Sequence, residues 1–141
     1  MRAVYTLLNT GGGWDVFSAA NSYTGGTVLN GFALRLNGGT VVIPAAADPT
    51  QGLVITGNAT AGAQGVVLTA NGQIAASNQV ALSGNALLNL GAYQQTLAAV
   101  NFFNNGATLP PTVSGVGGTL TLSATGSLNA RSFNPGSVPL V

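Results

Sequence analysis

Lysine, glutamate, histidine and cysteine are absent from this 141-residue chain, whose charged side chains are three arginines and two aspartates: Arg2, Arg35, Arg131, Asp15 and Asp48. General acids and bases, thiol nucleophiles and most metal ligands come from the missing types. Their absence argues against an enzyme, and no cofactor or metal is expected. Without cysteine there is no disulfide framework and no cysteine-based metal site. Three dispersed arginines make no basic stripe, so the electrostatic footprint of nucleic-acid binding is missing, as is a polybasic membrane patch. No apolar run approaches the roughly 20 residues of a transmembrane helix. The opening residues through Leu8 begin as a signal sequence does, but Asn9, Thr10 and Gly11 to Gly13 end the apolar stretch early and predict a strand instead.

What is present is apolar and small. Hydrophobic residues make up 46% of the chain, mean hydropathy is +0.42, and there are 21 glycines. A disordered chain shows low hydrophobicity and high net charge, the reverse of this pattern. The length suits one domain, residues 1–141, with 1–13 and 132–141 as candidate capping or intersubunit segments. Solubility must come from Asn, Thr, Ser and Gln.

Short apolar runs separated by Gly, Asn and Pro recur along the chain, at 27–29, 33–36, 41–43, 53–55, 66–68, 80–82, 87–90, 97–100 and 119–122. Glycine pairs such as Gly25-Gly26, Gly38-Gly39 and Gly117-Gly118 break any helical period, and Gly and Asn tolerate positive φ. Alternation in 33–37 and 119–123 puts Leu34 with Leu36, and Leu120 with Leu122, on one buried face, leaving Arg35, Thr and Ser outward. Two all-β architectures fit: an antiparallel sandwich or barrel, and a solenoid of stacked parallel strands. Runs of three to five residues are short for a sandwich and favour the solenoid. Stacked Asn and Thr can then form hydrogen-bonded side-chain rows about 4.8 Å apart, a spacing at which like charges would repel.

The stretch from Asn21 through Tyr23, Thr24, Gly25, Gly26 and Thr27 to the strand holding Leu34 and Leu36 resembles the passenger-associated repeat of bacterial autotransporters. That repeat reads N-x-Y-T/S-G-G-T, a strand, a glycine and an L-x-L strand. Residues 80–97 look like the segment that follows it, so the likeness spans much of 14–100. It implies a single-stranded right-handed parallel β-helix, extracellular or on a bacterial cell surface, and no specific ligand. Read physically, Tyr23 covers an aliphatic layer with its hydroxyl toward solvent, Gly25-Gly26 permits a sharp corner, and Thr27 starts a strand. A phosphate cradle at Gly25-Gly26 would need a helix start and a lysine, which the sequence lacks.

Asp15 and Asp48 read as turn or cap residues, Asp48 preceding Pro49. A glycosidase would need the two within about 5–9.5 Å across a sugar. The aromatics Trp14, Phe17 and Tyr23 near one end, and Phe102, Phe103 and Phe133 near the other, read as closures for terminal coils rather than a glycan platform. Asn58 lies in a glycosylation-type triplet, a short and frequent pattern. Exposed strand edges carry few of the usual charged defences. The leading expectation is therefore self-association into an end-to-end homopolymer, a fibre or surface layer, with candidate contacts Val4, Tyr5, Leu7, Leu8, Trp14, Phe133, Val138 and Leu140. The alternative is an adhesin-type passenger that displays loops, at 45–51 or 101–118 with 104–112 foremost, to a glycan or host surface.

Overall fold

The computed structural model describes residues 5–7, 14–31, 33–57, 64–105 and 109–132. Among these residues the structure is all-β, with eleven strands that alternate between two sheets. In chain order they are β1 Tyr5–Leu7, β2 Trp14–Phe17, β3 Thr27–Asn30, β4 Ala33–Leu36, β5 Leu53–Thr56, β6 Gln64–Leu68, β7 Gln79–Ser83, β8 Ala86–Asn89, β9 Gln94–Asn104, β10 Thr112–Ser114 and β11 Thr119–Ser132. One sheet has the order β1-β3-β5-β7-β9-β11 and the other β2-β4-β6-β8-β10. Every pairing between these strands is parallel, which excludes the antiparallel sandwich. The sole helical element among the described residues is one 3-10 turn, Pro49–Gln51.

Alternation decides which side chains meet. Register stacks Leu29 on Ile55 and Ile55 on Leu82 in the first sheet, and Leu34 on Val66 and Val66 on Leu88 in the second. All of these side chains are buried and belong to one core cluster, to which Val42, Ile43 and Ile74 contribute from connecting segments. Each such leucine or isoleucine stabilises the fold by about 1.5–3 kcal/mol relative to exposure. Leu34 and Leu36 are buried and Arg35 exposed, as the alternation predicts, whereas Leu120 and Leu122 are only half-buried. The difference is positional, because β11 is the last strand of its sheet and no further strand covers it among the described residues.

Two sequence expectations change in the structure. The run 41–43 is not a strand: it makes a single parallel bridge, Ile43 to Ile74, with the Val42 and Ile43 N–H groups both donating to the Gln73 carbonyl at 2.9 and 3.0 Å. Positive φ is confined, among the described residues, to Gly31, Gly72, Gly84, Gly91 and Gly117, with no Asn among them. Gly25-Gly26 therefore does not turn the chain by left-handed backbone, and Gly26 answers a different constraint.

Candidate functional site

That constraint is space. Gly26 is buried beside the segment that leads into β5, and a Cβ built on it would overlap the carbonyl oxygen of Gln51. The rest of the Asn21 to Thr27 motif fastens neighbouring segments. Asn21 Nδ2 donates to the Val42 carbonyl at 2.8 Å and to that of Ala19 at 3.2 Å. The Thr24 carbonyl accepts the Ala47 N–H at 2.9 Å, and the Thr27 N–H donates to the Gly52 carbonyl at 3.2 Å. Tyr23 is half-buried, and its hydroxyl lies 2.6 Å from Oγ1 of the fully buried Thr27 rather than reaching only for solvent. Thr27 is also the register partner of Tyr5 and of Leu53. The motif thus ties the approach to β3 to the segment 42–52 that leads into β5.

Three further polar residues, which sequence reasoning did not single out, are buried beside the core: Gln73, Asn78 and Gln95. Each presents its side-chain amide to the backbone of an adjacent segment as a strand would present a peptide group. Gln73 accepts from the Gly38 N–H at 2.7 Å and donates to the Gly38 carbonyl at 2.9 Å. Asn78 accepts from the Ala46 N–H at 2.9 Å and donates to the Pro44 carbonyl at 2.8 Å. Gln95 accepts from the Ile74 N–H at 3.1 Å and donates to its carbonyl at 2.7 Å. These amides supply the pairing that irregular backbone cannot, which keeps buried polar groups satisfied. Of the three, only Gln73 stands beside a large apolar residue, Ile74, while Asn78 and Gln95 have polar neighbours on both sides, so nothing local marks them as buried.

The predicted assembly residues divide. Tyr5 and Leu7 lie in β1, the edge of the six-stranded sheet, while Trp14 lies in β2, the edge of the other. Trp14 is 49% exposed, with the Arg35 guanidinium carbon 5.3 Å from its ring centroid. Cation–π pairing at such a surface contributes about 0.5–1 kcal/mol. Val4, Leu8, Phe133, Val138 and Leu140 lie outside the described residues, as does the triplet starting at Asn58. Of the proposed display segment, Asn104 is buried and Leu109 exposed, and 106–108 lie outside the described residues. Phe17 and Phe102 pack against the core as partly buried side chains.

The outer face of the six-stranded sheet carries a groove of about 430 Å³ across β5, β7, β9 and β11. Gln79, Ala81, Asn101, Phe103, Asn129 and Arg131 form much of its lining. Neither aspartate is in that lining. Asp15 sits in β2 opposite Leu34, and Asp48 caps the 3-10 turn, accepting from the Thr50 N–H at 3.1 Å and the Thr50 hydroxyl at 2.6 Å. Among the described residues no group of three or more His, Cys, Asp or Glu side chains is placed to hold a metal ion, and no helix is long and apolar enough to cross a membrane. Comparison with protein-family models, with curated proteins and with solved structures finds no match to this chain.

Proposed function

We propose that this chain is a non-enzymatic structural subunit, a right-handed parallel β-solenoid that joins end to end into an extracellular fibre or surface layer. One observation carries the reading: both sheets begin at the same end of the strand stack, with β1 and β2, and finish at the same opposite end, with β10 and β11, all strands parallel. A translated second copy can therefore add its β1 to β11 and its β2 to β10 at once, extending both sheets without reversing polarity. Such a head-to-tail contact does not close and generates a filament. Right-handedness follows the strong preference of parallel crossover connections, and the autotransporter-like motif supports a location outside the cell.

The β10 and β11 end has the surface such a contact needs. Leu128 is 63% exposed, Val116 90% and Leu109 52%. Strand β11 is 14 residues long and carries a single charge, Arg131, where edge strands that stay monomeric are short or guarded by several charges. Electron microscopy and sedimentation of the purified chain across a concentration series test the reading. Filaments are expected, and Leu128→Lys is expected to abolish them with circular dichroism unchanged. Uniform monomers at high concentration would end the assembly reading, and filaments that persist in the lysine variant would remove the β11 end from the contact.

A further inference from the structure

We propose that the groove on the outer face of the six-stranded sheet binds an extended, carboxylate-bearing oligosaccharide. Sugar hydroxyls meet the amide row of Gln79, Asn101 and Asn129, a sugar face packs on Phe103, and the carboxylate pairs with Arg131. The row is built by register. Ala81, Asn101 and Asn129 occupy one level of β7, β9 and β11, and their neighbours Val80 and Val100 turn into the core, which sends the amides outward. Asn129 donates to Asn101 Oδ1 at 2.9 Å, and Asn101 donates to Gln79 Oε1 at 3.2 Å. These bonds fix the side chains before a ligand arrives, which lowers the ordering cost of binding. An amide has two N–H donors and two acceptor lone pairs, so a row that uses part of this capacity still offers both donors and acceptors to hydroxyl groups.

The chemistry of the lining selects the ligand class. Arg131 is the one cation in the lining and no carboxylate accompanies it there, so the groove favours an anion that a guanidinium can hold in bidentate fashion. A single arginine does not support a nucleic acid, whose binding rests on neutralising many phosphates. Ala81 keeps the floor low between taller polar neighbours, and half-buried Phe103 supplies an apolar surface beside them. Successive strands repeat at about 4.8 Å, close to the length of one hexose in an extended chain, so adjacent strands can meet adjacent sugars. With no aspartate or glutamate in the lining, the groove lacks the carboxylate pair that hydrolysis of a glycosidic bond uses.

Calorimetry tests this on the Leu128→Lys background, which separates binding from assembly, using a hexamer of galacturonic acid and its carboxyl-reduced counterpart as probes. The acidic hexamer is expected to bind at least tenfold more tightly than the reduced one. Arg131→Gln should lower acidic-hexamer binding to the level of the reduced hexamer, Arg131→Lys should restore part of the difference, and Asn101→Ala should weaken both probes. Circular dichroism of each variant reports whether the sheet is intact. No binding of either hexamer at millimolar concentration, equal binding of the two, or an Arg131→Gln variant that binds as the parent does would each overturn the proposal.

Discussion

The side-chain amide of Gln73 bonds both backbone polar groups of Gly38, its oxygen 2.7 Å from the N–H donor and its nitrogen 2.9 Å from the carbonyl. The same nitrogen also lies 3.2 Å from the Thr40 carbonyl and 3.1 Å from that of Asn71. A fully buried side chain here replaces a strand that the glycine-rich stretch does not form.

Replacing Gln73 with Leu keeps much of the volume and removes the partner of a buried N–H. Each backbone group left unsatisfied costs about 1–3 kcal/mol, so Gln73→Leu should destabilise the fold by roughly 2–4 kcal/mol. Urea denaturation reads this as a lower midpoint at unchanged slope. A midpoint within error of the parent protein would refute the backbone-substitute role.

Glycine matters at 26 and not at 39. A methyl group at Gly26 meets the Gln51 carbonyl, whereas one at Gly39 meets nothing within 4 Å. Gly26→Ala should cost about 1–3 kcal/mol through overpacking, and Gly39→Ala should be neutral or stabilising by up to about 1 kcal/mol. Thermal scans should show a clear fall in Tm for the first variant and none for the second. Equal Tm values would show that the backbone relaxes around position 26.

The Tyr23 and Thr27 hydroxyls, 2.6 Å apart, form a pair that a double-mutant cycle can isolate. Tyr23→Phe and Thr27→Val should each destabilise by about 1 kcal/mol, and the double variant by less than their sum, with a coupling of about 0.5–1.5 kcal/mol. Strict additivity would mean that the pair contributes nothing beyond its separate side chains.

Two leucines on strands of the same sheet should respond in opposite ways. Leu82 is fully buried and Leu128 is 63% exposed, although the alternation along each strand gives both the inward position. Leu82→Ala should cost about 2–5 kcal/mol, while Leu128→Ala should stay within about 0.5 kcal/mol of the parent. A monomer strongly destabilised by Leu128→Ala would mean that another part of the chain covers that residue.

Much of the core is legible from alternation. Leu34 and Leu36 read as inward and Arg35 as outward because a pleated strand sends successive side chains to opposite faces. The registered polar rows also follow from sequence reasoning in kind: Asn129 meets Asn101, and the Ser83 hydroxyl lies 3.3 Å from that of Thr56. Val42 and Ile43 are buried as their character requires, yet they make a single bridge, and side chains take over the next carbonyls, Asn21 that of Val42 and Asn78 that of Pro44. The chain does bend at Gly25, but the requirement for glycine at 26 is not legible from sequence alone, because close approach of another chain segment leaves no local trace while positive φ is a local preference. The groove was equally invisible, since Gln79, Asn101 and Asn129 lie far apart in sequence.

Composition by itself determined the poverty of acids and bases, and the spacing of apolar residues determined a fold of short strands with one face inward. Both are properties of single residues and their immediate neighbours. Tertiary structure alone decided that the strands pair in parallel, which rung lies over which, and which amides become buried backbone partners. Parallel pairing joins segments separated by a crossover connection, and the connections differ in length: Trp14 meets Ala33, whereas Leu34 meets Val66. No local rule fixes that register, which is set by where the aliphatic layers and the amide contacts fit together.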